Sequence, residues 1–251
     1  MNGAIRTVSV DMNTSTPLNI IIHGASGRMG QALVRLASEA PDLHLVAAVS
    51  RRAPSQRVID GIPQFGASEL GGLPPFDVAI DFSLPEGVAP LARLCAERGS
   101  ALVCGTTGLD ADGEAALAEL ARKAPLVWAS NYSVGVAVLT DLVARAAALL
   151  KEWDCDIVEA HHIHKVDAPS GTALSLGRAA EGQGVHPHYA SLRAGDIVGE
   201  HTVQFAGQGE RIELVHRATN RDIFARGALT AARALVGRDP GRYTVAELLT
   251  A

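Results

Sequence analysis

The feature that most restricts the fold is a strand, a glycine turn and a helix in immediate succession near the N-terminus. Leu18-Asn-Ile-Ile-Ile22 is a short, β-branched apolar run, suited to a strand buried on both faces of a parallel sheet. His23-Gly-Ala-Ser-Gly-Arg-Met-Gly30 follows, and then an amphipathic segment over Gln31 to Glu39 that predicts a helix. The glycines fall as Gly24-x-x-Gly27-x-x-Gly30, a variant of the spacing by which such turns approach a dinucleotide pyrophosphate. Gly24 allows the tight turn, Gly27 lets a pyrophosphate reach the backbone, and Gly30 lets helix and strand pack closely.

The alternation continues. Leu43 to Ser50 predicts a second strand, Phe76 to Phe82 a third, Ala101 to Gly105 a fourth and Leu126 to Ala129 a fifth. Helices are expected from Ser83 and over Asp110 to Lys123. Ser83 reads as an N-cap, with Pro85 in the first turn and Glu86 closing a capping box. Arg57 to Pro75, rich in Gly and Pro, reads as loop with short elements. Strands alternating with helices mean a doubly wound parallel sheet of Rossmann type. Two sites lie at the strand ends where such sheets bind ligands. The first is Gly105-Thr-Thr-Gly108. The second is Ser50-Arg51-Arg52, where an acid for ribose hydroxyls is absent and paired guanidiniums suit a 2′-phosphate. NADPH is therefore expected in preference to NADH.

After Ser133 the pattern changes. Val134 to Trp153 predicts a long, sparsely charged helix, Asp156 to His161 a strand and Thr172 to Ala180 a helix ended by Glu181-Gly-Gln-Gly184. Runs over Tyr189 to Ala194, Ile197 to Phe205 and Arg211 to Arg217 are separated by glycine-bearing breaks, which suggests antiparallel pairing. Asn220 to Leu235 predicts a last amphipathic helix, and Thr244 to Ala251 a short tail. The expected fold class is α/β: a Rossmann-like sheet plus a smaller α+β domain with an open mixed or antiparallel sheet. Residues 1–17 are expected to be a disordered tail. Residues 18–131 with 221–251 are expected to form the dinucleotide domain, and 132–220 a substrate-binding and oligomerisation domain.

The chemistry concentrates in Glu159-Ala-His-His-Ile-His-Lys-Val-Asp-Ala-Pro-Ser-Gly-Thr-Ala173. His161, His162, His164 and Lys165 supply proton donors and cations. The Pro169-Ser-Gly-Thr172 turn supplies backbone amides at a helix start, a ready anion site. Together they point to a small carboxylated substrate that also receives a proton. A metal centre is disfavoured, because strand neighbours point to opposite faces and no Cys, Asp or Glu stands at ligand spacing. His201 and Glu200 are assigned to the sheet, and Asp167 to orienting the turn.

Composition closes off other classes. A net charge of −5 argues against a nucleic-acid partner. No apolar run approaches the roughly 18 residues of a membrane span. Cys95, Cys104 and Cys155 are widely spaced and form no metal or redox motif, so a cytoplasmic protein is expected.

Glu159 to Ala173 resembles the signature of the dihydrodipicolinate reductase family. The likeness covers nearly the whole chain from Leu18: Gly24 to Gly30, Asp81-Phe-Ser83 with Pro85-Glu-Gly87, Gly105 to Gly108, Asn131 to Gly135 and Arg193 to Thr202 fall in the family's order. The resemblance implies NAD(P)H-dependent reduction of 4-hydroxy-tetrahydrodipicolinate in diaminopimelate and lysine biosynthesis. It makes His161 the general acid and Lys165 the second donor and carboxylate partner. His162, Gly171, Thr172 and Thr107 become substrate contacts. Gly24, Ala25, Ser26, Gly27, Arg28 and Met29 become the pyrophosphate site, and Ser50 and Arg51 sit at the ribose end. Gly105, Thr106, Thr107, Ala129, Ser130, Asn131 and Tyr132 become contacts near the nicotinamide and its ribose. A homotetramer is implied, although the connection from Ala173 to Arg193 is shorter than in many members. Aspartate or homoserine dehydrogenases share the two-domain plan but lack the His-His-x-His-Lys and Pro-Ser-Gly-Thr pair. A non-enzymatic NADP(H) sensor would need the glycine loop but no adjacent acid and anion site.

Overall fold

The computed structural model describes residues 16–52 and 54–249. The disordered tail expected at 1–17 therefore falls almost wholly outside the described residues. Strand β1 (Leu18–His23) leads through the glycine turn into α1 (Arg28–Ser38), and β2 (Leu43–Ser50) lies parallel beside β1. Strands β3 (Val58–Ile59) and β4 (Ile62–Gly66) and a 3-10 turn (Ala67–Gly72) come next. They are followed by β5 (Val78–Asp81), α2 (Pro85–Arg98), β6 (Ala101–Cys104), α3 (Ala111–Ala121) and β7 (Pro125–Trp128).

The first sheet has eight strands if β12 (Gly241–Tyr243) is included, in the order β12-β7-β6-β5-β1-β2-β4-β3. Ladders between neighbours are parallel except at β3–β4. The β-branched β1 residues explain its central place. Ile20 and Ile22 face one layer with Leu33 of α1 and Leu229 of α6 (Asp222–Leu235). Ile21 faces the other layer with Leu91 of α2 and Leu117 of α3. All three isoleucines are fully buried, and each such side chain contributes about 1.5–3 kcal/mol.

The second sheet runs β11-β10-β8-β9. Its strands are β8 (Asp154–His161), β9 (His188–Arg193), β10 (Gly199–Gly207) and β11 (Glu210–Ala218). Helices α4 (Val134–Leu149) and α5 (Gly171–Glu181) cover one face, with Val143, Leu176, Ile157, Val203 and Phe205 between them. Ser133 and Ser170 are their N-caps, accepting from the amides of Val136 and Ala173. A short α7 (Val245–Leu249) ends the described chain.

Several expectations are corrected. The short elements expected within 57–75 are β3, β4 and the 3-10 turn, and β4 extends the parallel sheet against β2, which was not expected. Leu84, not Ser83, caps α2, and no side-chain bond forms there; Ser83 Oγ donates to the Leu84 carbonyl instead. α1 starts at Arg28, ahead of the expected Gln31, since Gly27 is its N-cap. α4 stops at Leu149, short of Trp153. β9 pairs parallel with β8, not antiparallel with β10. The short tail expected over Thr244 to Ala251 holds α7 (Val245–Leu249), and just ahead of it β12 pairs with β7, a strand not expected from the sequence.

Candidate active site

At the end of β1 the chain must turn sharply under β2. The Gly24 and Ala25 amides both donate to the Val49 carbonyl. Gly24 has φ +86°, and a Cβ there would lie 2.3 Å from the Phe82 carbonyl oxygen. A Cβ on Gly30 would lie 2.1 Å from the Gly24 carbonyl oxygen and 2.6 Å from the Ala25 Cα. Both positions therefore exclude a side chain. The first amides of α1, from Arg28 and Met29 onward, have no partner within their own helix. Ser26, Gly27 and Arg28 are exposed above them. A cavity of about 230 Å³ joins Gly27, Arg28 and Met29 to Phe82, Gly105 and Thr106. A second, of about 590 Å³, runs over Gly24 and Ser26 to Arg51, Leu84 and Glu86. Ser50, Arg51 and Arg52 line a third, of about 380 Å³, with Ser26. Ser50 is buried, while Arg51 and Arg52 are exposed. This chain of cavities, with uncapped amides mid-way and guanidiniums at one end, fits a nicotinamide dinucleotide.

Asp81, fully buried at the end of β5, supports the loop after β6. Its carboxylate accepts from Thr106 Oγ1 at 2.6 Å, lies 2.7 Å from His23 Nδ1 and accepts from Cys104 Sγ at 3.5 Å. Trp128 Nε1 donates to the Thr106 carbonyl at 2.9 Å. Thr107 is left exposed beyond this anchor. Ala129, Ser130 and Asn131 follow β7 on the same edge. Tyr132 needs a correction: its hydroxyl donates to the Cys104 carbonyl at 2.7 Å, the whole residue is 1% exposed, and burial pushes its pKa up.

The His/Lys stretch lies at the end of β8. Period two along the strand turns Glu159 and His161 to the same buried face. His161 Nδ1 is 2.5 Å from Glu159 Oε2. Burial pushes the Glu159 carboxyl up, but hydrogen bonds from Arg193, then Ser191 and His161, outweigh it and hold it at about 2. His162 points elsewhere, half-buried, its Nδ1 without a partner. Burial, then the charge of Arg221, keeps its pKa below the ordinary histidine value. His164 is exposed, its ring 6.2 Å from that of His162. His161 and His162 thus face different surroundings, as strand geometry requires.

Lys165 Nζ donates to both oxygens of Asp167, at 2.8 and 2.9 Å. That pairing, with a contribution from the Gly171 amide, lowers the Asp167 pKa. Asp167 therefore does more than orient the turn: its carboxylate engages the cation and the helix start that a substrate carboxylate would engage. Ser170 caps α5 through Ala173, which leaves Gly171 exposed and Thr172 half-buried at the helix mouth. Asn131 Nδ2 donates to Thr172 Oγ1 at 2.9 Å, so the strand-end edge of the first sheet meets the N-terminus of α5.

Family models described as "Dihydrodipicolinate reductase, N-terminus" and "Dihydrodipicolinate reductase, C-terminus" match residues 18–132 and 135–249. The chain belongs to the dihydrodipicolinate reductase family. A 4-hydroxy-tetrahydrodipicolinate reductase of Stenotrophomonas maltophilia is 69% identical over 93% of this chain and 98% of its own length. One from Xanthomonas campestris is 66% identical over 94% and 99%. Among solved structures, a dipicolinate-bound dihydrodipicolinate reductase from Paenisporosarcina matches with a TM-score of 0.77 at 23% identity. It covers 91% of this chain and 97% of that one. A probable dehydrogenase of Thermotoga maritima matches at 0.65 and 11% identity, over 93% of each chain, a likeness of fold alone.

The sequence expectation left three functional-looking groups unassigned. Glu159 stood in the signature without a role, although its spacing of two from His161 on a strand was the available signal. Arg193 lies opposite His161 in the parallel β8–β9 ladder, a pairing across α5 that no local pattern encodes. The Asp81–His23 pair joins two strands 58 residues apart. No helix among the described residues is long and apolar enough to cross a membrane.

Proposed function

We propose that this chain reduces 4-hydroxy-tetrahydrodipicolinate to tetrahydrodipicolinate with NAD(P)H, NADPH being the preferred donor. The observation that carries this reading is the Asn131–Thr172 hydrogen bond, which brings the strand-end edge of the first sheet to the N-terminus of α5, next in sequence to the His161–Lys165 stretch. When bound, the reduced nicotinamide would supply hydride to a ring carbon of the substrate; with one proton taken up and the 4-hydroxyl lost as water, the product is tetrahydrodipicolinate. The chain's own residues do the rest. His161 delivers the proton. Lys165 exchanges Asp167 for one substrate carboxylate, and the Gly171 and Thr172 amides hold the other at the positive end of α5. His162 and Thr107 complete the pocket. Gly24 to Met29 take the pyrophosphate, and Gly105 to Thr107 with Ala129 to Asn131 frame the nicotinamide. Each hydrogen bond to a charged group is worth about 1.5–3 kcal/mol, enough to set orientation as well as affinity.

Arg51 and Arg52, exposed beside buried Ser50, support the NADPH preference; Arg51 has one distant carboxylate partner, Glu86 at 3.9 Å. Residues 18–131 with 221–251 serve as the cofactor unit and 132–220 as the substrate and oligomerisation unit. α6 returns to pack on α1 and the first sheet, consistent with that division. A homotetramer is supported by the second sheet, whose helices cover one face and leave Leu192 and Val215 56% and 40% exposed. The three cysteines are free and buried, in keeping with a cytoplasmic site of action.

Calorimetry tests the reading. NADPH and pyridine-2,6-dicarboxylate are each expected to bind, the second more tightly once the first is present. Binding of the nucleotide alone would instead describe a sensor.

A further inference from the structure

Glu159 and Arg193 form a hub that joins His161, the Lys165–Asp167 segment and the N-cap of α5. Glu159 is 1% exposed, and both its oxygens are fully engaged. Oε2 faces His161 Nδ1 at 2.5 Å and accepts from Arg193 Nη1 at 2.9 Å. Oε1 accepts from Arg193 Nη2 at 2.7 Å and from the Ser170 amide at 3.2 Å. Arg193 then spends its other donors on backbone. Nε donates to the Lys165 carbonyl at 3.2 Å, Nη2 to that of Asp167 at 2.7 Å and Nη1 to that of Leu192 at 2.6 Å. One ion pair thus touches the acid, the lysine segment and the N-cap of the anion-binding helix.

The pair also dictates where His161 exchanges its proton. An ionised carboxylate only accepts hydrogen bonds. Nδ1 must therefore carry hydrogen in both the neutral and the charged ring, and the proton gained and lost sits on Nε2. On that side the ring meets Gly199 of β10, where a Cβ would stand 3.1 Å from Nε2. The other groups around the ring are His201, whose ring centroid is 5.2 Å away and whose Nε2 is 3.0 Å from Ser170 Oγ, and Lys165 with Asp167 on the loop. His201 is held neutral near neutral pH, its pKa lowered to about 4 chiefly by burial. It brings no competing charge.

We propose that Glu159 and Arg193 are positioning residues for the reduction: Glu159 fixes the His161 tautomer, and Arg193 holds the Lys165–Asp167 segment against it. This rests on the reading of His161 as proton donor. The pair divides its effects. Losing the Glu159 charge acts on proton delivery, whereas losing the Arg193 fork frees the carboxylate-binding segment.

The test combines ring ¹⁵N NMR of histidine-labelled protein with steady-state kinetics. His161 is assigned by the signal missing in His161→Gln. In the wild type the neutral His161 ring is expected as the Nδ1–H tautomer; an Nε2–H ring overturns the proposal without any variant. In Glu159→Gln the ring is expected to lose that single tautomer, with kcat down on the order of 10- to 100-fold and KM little changed. Arg193→Lys is expected to raise KM on the order of 10-fold and keep the Nδ1–H tautomer. A Glu159→Gln protein with wild-type kcat and an unchanged Nδ1–H ring overturns the positioning role while His161 remains the donor. A His161→Gln protein with near-wild-type kcat instead removes the assignment of His161 itself.

Discussion

Replacing Gly30 by alanine should damage the cofactor site through packing alone. Alanine gains about 1 kcal/mol over glycine in a helix interior. The new Cβ, however, would stand 2.1 Å from the Gly24 carbonyl oxygen, against the 3.0 Å floor that real Cβ atoms observe, a deficit of about 0.9 Å. All three nearest atoms are backbone of the Gly24–Ala25 turn, which cannot rotate aside. Overpacking costs about 1–3 kcal/mol, and rigid partners place this case at the upper end. The net loss is then about 2 kcal/mol, or a Tm lower by about 4–8 °C for a chain of this size. The same shift moves α1 amides away from a bound pyrophosphate. Loss of one charge-assisted bond, about 1.5–3 kcal/mol, weakens NADPH by about tenfold or more. Differential scanning fluorimetry and NADPH titration read both quantities. Gly71→Ala is the control, because a Cβ there meets nothing within 4 Å. It should be neutral or stabilising by about 0.4–1 kcal/mol. A Gly30→Ala protein with wild-type Tm and NADPH affinity would refute the close-packing argument.

Other outcomes follow from the site. His161→Gln should lower kcat by about 10²–10⁴-fold with little change in KM, whereas Lys165→Ala should chiefly raise KM; steady-state kinetics with varied substrate separates the two, and a reversed pattern would exchange their roles. Arg51→Ala should raise the KM for NADPH about tenfold and leave that for NADH unchanged; equal effects on both would remove the 2′-phosphate assignment. Stability should fall in acid in two steps. Folded His201 binds its proton only near pH 4, against 6.5 for an ordinary histidine, so the unfolded chain takes up the proton first. The stability present above about pH 6.5 is lost as pH falls toward 4, by about 3 kcal/mol in all. Glu159, held at about 2 against an ordinary 4.5, adds a second loss below about 4.5. Urea unfolding across this range should show both steps, and a wild-type curve flat between about pH 7 and 5 would contradict the first.

The parallel sheet and the start of α5 were legible because their causes are local. Three isoleucines, a glycine spacing and Ser170 before a helix act within a few residues. What escaped depends on distant partners. β4 is a strand only because β2 offers its edge, and β12 only because β7 does. Ser83 has the right chemistry for a cap, but the chain runs one residue further before turning helical at Pro85. In the candidate site, His161, Lys165 and the Gly171–Thr172 amides stand in one contiguous stretch. Their support does not. Arg193 reaches Glu159 across 34 residues, and Asn131 reaches Thr172 across 41. Tyr132 shows the converse: its place in a binding segment suggested a contact, whereas its hydroxyl is committed to the Cys104 carbonyl.

The most direct test of the central claim is oxidation of NADPH, followed by loss of nicotinamide absorbance, with the cyclic substrate formed in place from pyruvate and aspartate semialdehyde. Oxidation that requires this product, is inhibited by pyridine-2,6-dicarboxylate and is slower with NADH is the expected result. A folded protein that binds NADPH yet oxidises it with neither product nor inhibitor effect would contradict the account.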